Sequence, residues 1–395
     1  MDRIVVTGIG AISAIGNTVA ENRAYLIQGK CGIGRLENFP SKYSGIIPVG
    51  EIKVSTEALK EKLDANDPGI TRTTLLALHA MKEALADSKL TNNEISSFDT
   101  ALINATTVGG MCLTDEMYND SQKDTPGTEY LSSYDYASIS MYLQKRYAMK
   151  GPVNTINTAC SSSANAIMYG ARLIRNGKVN RAIVGGVDSL AKFTMNGFNA
   201  LHILSNETCT PFDEERKGLN LGEGAAFLVL EKESDVAGKK IYAALSGYGN
   251  ANDSFHASSL SDEGAGPHKA MKDALNNAKL ETSQIDFINA HGTATENNDL
   301  VESIAMLRLF EKVPAFASTK ANTGHTLGAA GAIEALYCIL NLSQQELYPA
   351  IHFNKPIPDT GLIPVNSYQK TSLNNIMSNS FGFGGNCTSL IFSKI

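Results

Sequence analysis

An α/β fold with largely parallel sheets and two similar halves is the class that this sequence predicts. Three observations point to it. Helical and strand-like stretches alternate from one end of the chain to the other. A ten-residue stretch recurs: 81–90 (MKEALADSKL) and 271–280 (MKDALNNAKL) share six of ten positions. Each copy leads to a strand with the same ending, Ile103-Asn104-Ala105 and Ile288-Asn289-Ala290. Chance similarity between two amphipathic helices is the alternative, but the matching strand ends favour duplication. The length, 395 residues, is more than one core usually fills. The division is expected at 1–248 and 249–395.

The elements follow in order. Residues 4–10 form a short apolar strand that reaches Gly8-x-Gly10. The third glycine, Gly16, is misplaced for a dinucleotide loop, and no suitable acidic residue follows. An amphipathic helix covers 19–29, and 30–60 carries loop signals. A strong helix covers 71–89, with Leu75, Leu78, Met81 and Leu85 on one face. A buried strand at 101–105 precedes the small-residue turn 106–111. Residues 112–135 read as polar loop and 136–147 as helix. Strands are expected at 153–156, 181–187, 225–231, 241–248, 285–290 and 389–392. Helices are expected at 161–176, 267–279, 299–310 and 326–342.

Composition excludes several classes. Hydrophobic residues make up 43% and charged residues 19%, an ordinary globular balance. A net charge of −6 argues against a nucleic-acid footprint. The six cysteines (31, 112, 160, 209, 338 and 387) contain no CxxC, so neither a disulfide framework nor a metal site is expected. The longest apolar helical stretch, 329–340, is too short for a bilayer and contains Glu334. The N-terminus lacks a signal-peptide pattern, and a cytoplasmic protein is expected.

Three places carry candidate chemistry. Gly151-Pro152 opens a strand that becomes helical from about Ser161, and Cys160 falls at the junction. Free N–H groups and the positive end of the helix dipole favour thiolate there. On this stretch alone, a nucleophile and a small core residue are equally compatible. His291 follows the strand ending at Ala290, where sites of α/β sheets collect. Lys320 and His325 share the loop before a small-residue helix. One sulfur and two imidazoles suit thioester chemistry: sulfur attacks the carbonyl and N–H groups stabilise an enolate oxygen. Finally, Phe381-Gly382-Phe383-Gly384-Gly385 makes either a mobile ligand loop or a tight turn between strands.

These motifs together resemble the β-ketoacyl-[acyl-carrier-protein] synthases of the elongating type I/II. The stretches concerned are Asn157-Thr158-Ala159-Cys160-Ser161-Ser162, Pro211-Phe212-Asp213 with Gly222-Glu223-Gly224-Ala225, and Ala290-His291-Gly292-Thr293-Ala294-Thr295. Ser318-Thr319-Lys320 with Thr323-Gly324-His325 and the 381–385 loop complete the set. The resemblance implies a thiolase-like αβαβα five-layer sandwich of two duplicated halves, and a homodimer. It implies a decarboxylative Claisen condensation of an enzyme-bound acyl thioester with malonyl carrier protein, giving 3-oxoacyl carrier protein for fatty-acid, polyene or polyketide elongation. Cys160 would carry the acyl chain, and His291 and His325 would hold the malonyl thioester. Lys320 would orient the histidines with Glu302 as its partner. Asp299 would be structural. The backbone N–H groups of Cys160 and Phe383 would form the oxyanion hole. Phe381 and Phe383 would gate the site, and Thr293 and Thr295 would bind the phosphopantetheine arm. Val108 and Met111 would set acyl-pocket depth. No cofactor or metal is implied beyond the phosphopantetheine that the carrier protein brings.

The sequence departs from the family's pattern at Asn386-Cys387-Thr388 after the glycine loop, at Glu296, and in a short 201–211 segment. Lys60, Lys62, Arg72, Lys145 and Arg146 are candidates for carrier-protein docking. A non-catalytic chain-length-factor partner and a thiolase with Cys387 as base are the alternatives. A heterodimer with a paralogue is compatible with the first.

Overall fold

A computed structural model describes residues 2–122 and 131–395. Ten strands form one mixed sheet: β1 (Ile4–Ser13), β2 (Thr100–Ala105), β3 (Val153–Ile156), β4 (Arg181–Asp188) and β5 (Gly224–Lys232) belong to one half. β6 (Ala243–Asn252), β7 (Phe287–Asn289), β8 (Ala315–Ala317), β9 (Asn375–Phe381) and β10 (Asn386–Ser393) belong to the other. The order across the sheet is β8-β7-β9-β10-β6-β1-β5-β4-β2-β3. Each half therefore repeats the other, with β1 matching β6, β2 matching β7, and so on.

The halves meet where β1 pairs with β6, Val5 opposite Ala244 and Val6 opposite Ala243. Within each half two pairings are parallel and two antiparallel. The sheet is thus less parallel than expected. One reason is local: only residues 382–385 separate β9 from β10, and so short a connection allows only antiparallel pairing. The expected division between 248 and 249 falls inside β6.

The helices used below are α1 (Val19–Ile27), α2 (Thr56–Leu63), α3 (Arg72–Ser88), α4 (Ser138–Arg146), α5 (Ser162–Arg175) and α6 (Lys192–Ala200). α7 (Ala265–Ala278), α8 (Glu296–Leu309), α9 (Lys320–Thr323) and α10 (Ala330–Gln344) follow. α3 packs on β1 and β5, and α7 packs on β6 and β10. These are the two repeated helices. Each ends in a left-handed lysine, Lys89 and Lys279. α5 and α10 lie against each other, and α10 touches both β5 and β9. They form the middle layer of an αβαβα sandwich.

Gly8 and Gly10 do not open a turn; both lie within buried β1. A Cβ on Gly8 would meet Ala84 O at 2.4 Å, and one on Gly10 would meet Ala80 O at 2.1 Å. Gly247 and Gly249 of β6 meet Ala274 O and Ala270 O in the same way, at 2.5 and 2.1 Å. The glycine pair is a helix-packing device used twice, not a phosphate loop.

The expected loop at 112–135 contains a helix at Thr114–Ser121, and part of it, 123–130, lies outside the described residues. The helix α6 was not anticipated. The long small-residue helix begins as a 3-10 turn at Leu327–Ala329 and continues as α10, whose residues 330–342 are all buried. A Cβ on Gly331 would meet Ala164 N at 2.7 Å, so α10 and α5 touch backbone to backbone.

Candidate active site

Cys160 follows β3 and precedes α5 by two residues. Ala159 before it has φ +54°, a left-handed value uncommon for alanine. This kink, closed by a bridge between Thr158 and Cys160, aims the thiol out of the strand–helix junction. Cys160 is only 5% exposed, and burial pushes its thiol up to about 11. The nearby Lys320 charge and the Phe383 N–H act in the opposite direction. The expected lowering by the helix terminus is therefore outweighed by desolvation.

His291 and His325 reach the same place from the other half. Their rings stack edge-on at 5.4 Å between centroids. One ligand-type atom from each of Cys160, His291 and His325 lies within 4.8 Å of the others. Burial, Lys320 and mutual repulsion hold His291 well below the usual histidine range, and burial and Lys320 do the same for His325. Both rings are neutral near pH 7.

Their tautomers follow from their neighbours. Lys320 Nζ lies 3.2 Å from His291 Nδ1, and an ammonium can only donate. The Leu327 N–H donates to His325 Nδ1 at 3.3 Å. Both Nδ1 atoms are therefore acceptors, and both Nε2 atoms carry the proton. The pair presents two N–H donors. A metal ion would need those nitrogens bare, so the donor set does not suit one.

Lys320, 2% exposed, also donates to the His291 carbonyl at 2.5 Å and pairs with Glu334. Glu302 is not its partner, which corrects the sequence reading. Glu302 instead accepts the backbone N–H groups of His291 and Gly292, each at 2.9 Å, and Asn379 Nδ2 at 3.2 Å. Burial lifts it to about 7. The reason is geometric: residues 289–292 curl over the carboxylate, while Glu334 on α10 faces Lys320. Asp299 accepts from Phe212 N at 2.7 Å and from Ala294 N at 3.1 Å, fixing two residues at φ +64°.

The Phe381–Gly385 loop closes the site. The Phe383 N–H bonds to the Cys160 sulfur, and a Cβ on Gly382 would meet Thr158 O at 2.7 Å. Phe383 stacks on Phe198 of α6, centroids 5.8 Å apart, and Phe381 lies 5.8 Å from the His291 ring. A cavity of about 390 Å³ is lined by Cys160, both histidines, both phenylalanines, Thr293 and Thr295. Thr293 and Thr295 bond to each other at 2.8 Å. Val108 and Met111 do not line it. They belong to an apolar cluster that includes Leu219, Ile203 and Phe198, which do.

Two groups escaped the sequence reading. Buried Asp188 at the end of β4 accepts from Thr106 Oγ1, Thr107 N and Oγ1, Val108 N and Gly328 N, at 2.6–3.1 Å. Its carboxylate after a buried strand was the only signal. Asn386 Oδ1 accepts from Ser161 Oγ and Asn165 Nδ2, both at 2.8 Å, and from Asn250 Nδ2 at 3.0 Å. The unusual residue after the glycine loop thus ties that loop to the nucleophile's helix.

Cys387 is buried with Leu260, Ala251 and Phe381 and does not line the cavity, so it is not placed to act as a thiolase base. Among the docking candidates, Arg72 forms a bidentate pair with buried Glu223 at 2.7 and 3.0 Å and is not free for a partner. Lys62 and Lys145 are exposed, Lys60 is half-buried, and exposed Arg146 bonds Leu63 O at 3.0 Å.

Residues 1–236 match the family described as beta-ketoacyl synthase, N-terminal domain, and residues 242–354 match its C-terminal domain. The chain belongs to the β-ketoacyl synthase family. A putative mitochondrial 3-oxoacyl-[acyl-carrier-protein] synthase of Schizosaccharomyces pombe is 35% identical, over 100% of this chain and 99% of that protein. The 3-oxoacyl-[acyl-carrier-protein] synthase 2 of Staphylococcus aureus is 32% identical, over 99% and 98%. Among solved structures, the ishigamide ketosynthase/chain length factor superposes with a TM-score of 0.93 at 28% identity, covering 100% of this chain and 99% of the other. As a β-ketoacyl synthase, the chain is a condensing acyltransferase with the thiolase-like architecture described above. Among the described residues, no helix is long and apolar enough to cross a membrane.

Proposed function

We propose that this β-ketoacyl synthase condenses a Cys160-bound acyl chain with malonyl carrier protein, with loss of carbon dioxide, in fatty-acid or specialised chain elongation. One observation carries the reading: two imidazole Nε2–H donors converge with a buried thiol in one cavity.

Cys160 sulfur attacks the acyl thioester, and the departing carrier thiol takes the proton. The Phe383 and Cys160 N–H groups hold the acyl oxyanion. The malonyl thioester then enters along Thr293 and Thr295. Its carbonyl accepts from both histidines, which stabilise the enolate left when carbon dioxide departs. No strong base is needed, because decarboxylation supplies the carbanion. The carbanion attacks the acyl-enzyme, the C–S bond breaks, and a 3-oxoacyl product two carbons longer leaves. Lys320 helps keep both rings neutral and orients His291, while the Leu327 N–H orients His325. No cofactor is required beyond the carrier's phosphopantetheine arm.

The protein acts in the cytoplasm as a homodimer. Edge strand β3 is a suitable pairing surface, since it borders the sheet and Asn154 is exposed. We place the junction of the halves ahead of Ala243, which keeps β6 whole. A heterodimer is the second reading, favoured by the similarity to a ketosynthase/chain length factor structure; with Cys160 in place, this chain would be its catalytic member.

The test is intact-protein mass spectrometry after incubation with a panel of acyl carrier proteins. An acyl adduct on wild type, absent from Cys160→Ala, is expected. An adduct that persists in Cys160→Ala would overturn the assignment.

A further inference from the structure

Two cysteines that the chemistry above does not use lie behind the Lys320–His325 segment. Cys31 is exposed, and its Sγ is 3.2 Å from the Ala321 carbonyl. Cys209 is buried, and its Sγ is 3.6 Å from the Lys320 carbonyl. The two thiols thus sit on consecutive carbonyls of α9. Cys31 also bonds the side chain of Thr208, the residue beside Cys209. Burial raises the Cys209 thiol, the Asn220 N–H opposes this, and Cys31 adds to the rise.

Both cysteines are tied to the catalytic segment by hydrogen bonds of the backbone and of two asparagine side chains. Gly32 N donates to Asn322 O at 2.8 Å, and Asn322 Nδ2 donates to Lys30 O at 2.9 Å. Asn220 links Cys209 to His325: its Oδ1 accepts Cys209 N–H, and its carbonyl accepts His325 N–H, both at 2.7 Å. The two sulfurs are thus hydrogen-bonded to the Lys320 and Ala321 carbonyls, and Cys209 is one residue, Asn220, away from the His325 N–H.

We propose that Cys31 and Cys209 are a redox-modification site: a peroxide converts them to a disulfide, and that bond displaces the 320–325 segment. Exposed Cys31 reacts first. Its sulfur attacks one peroxide oxygen, the O–O bond breaks, and a sulfenic acid and water form. Cys209 sulfur then attacks Cys31 sulfur; the S–S bond forms and a second water leaves with the Cys209 proton. Two thiols are oxidised and one peroxide is reduced to two waters. The bond requires the two Cα atoms to lie within about 7 Å of each other and the two sulfurs to leave their separate α9 carbonyls for covalent contact.

The test uses the full chain carrying Cys160→Ala, so that oxidation of the nucleophile does not interfere. Hydrogen peroxide is added, and peptides are mapped by mass spectrometry with and without dithiothreitol. A reducible 31–209 linked peptide is expected. It is expected to be absent from Cys31→Ser and from Cys209→Ala in the same background. Amide exchange across 319–326 is expected to rise at least fivefold on oxidation in the parent and to stay unchanged in Cys31→Ser. Recovery of Cys31 as sulfinic acid with no linked peptide would overturn the proposal. So would a linked peptide with unchanged exchange at 319–326. Neither readout depends on the condensation reading, so failure of one is distinguishable from failure of the other.

Discussion

At the scale of single residues, the chemistry depends on which nitrogen carries a proton. Lys320 decides this for His291, because its ammonium occupies the Nδ1 side and repels a second positive charge. Lys320→Met removes both effects. The pKa of His291 then rises toward its ordinary value, with burial still holding it down. The sign is fixed: the imidazole must be neutral to work, so the acid limb of the decarboxylation profile moves to higher pH. Measuring malonyl carrier protein decarboxylation from about pH 5 to 8 checks this. An unmoved limb would remove Lys320 from the tautomer argument. The two buried glutamates separate cleanly. Glu302→Gln weakens the support of the His291 backbone and is expected to lower stability by about 1–3 kcal/mol in urea unfolding. Glu334→Gln leaves that loop intact but removes the carboxylate that offsets the Lys320 charge, so the acid limb is expected to move to lower pH, opposite to Lys320→Met.

At the scale of elements, the site exists because strand ends are clamped to one another. Asp188 joins the end of β4 to residues 106–108 and to the turn before α10. Asp188→Ala leaves several buried donors unpaired, and a loss of about 3 kcal/mol is expected, read from the unfolding midpoint. Glycines hold the histidine loop equally closely. A Cβ on Gly222 would meet Thr323 O at 2.4 Å, and that neighbour is backbone. Gly222→Ala is therefore expected to cost about 1–3 kcal/mol and to slow decarboxylation, because His325 follows two residues later. The sequence carried part of this. The repeated helix and the residues Cys160, His291, Lys320 and His325 were legible from spacing and strand ends. The Glu334 partner was not, since only the assembled fold places α10 so that Glu334 rather than Glu302 meets Lys320. Helix α6 and its Phe198 were missed because the short apolar spacing there is weak beside the loop residues around it.

At the scale of the whole molecule, the cavity needs both halves. Cys160 comes from the first, and His291, Lys320, His325 and Phe383 come from the second. The middle layer of α5 and α10 sets their separation, and Gly331 permits its close contact. In solution, sedimentation equilibrium is expected to give twice the chain mass of 42.2 kDa. Residues 152, 154 and 156 turn their backbone groups toward β2 and 155 faces the open edge, so Thr155→Pro removes an edge donor and is expected to shift that mass toward one chain. A wild-type mass of one chain would remove the homodimer.

The sequence by itself determined the α/β class and the duplication, and it placed a cysteine, a lysine and two histidines at strand and helix ends. These follow from local periodicity and from chemistry fixed by residue type. Only the tertiary structure decided the mixed strand pairing, the partners of Lys320 and Glu302, the role of Asn386 and the unlowered Cys160 thiol. Those depend on which side chains share a buried space. Residues 320 and 334 meet in a buried ion pair that no spacing rule encodes, and a thiol's proton affinity depends on how much water the assembled layers exclude.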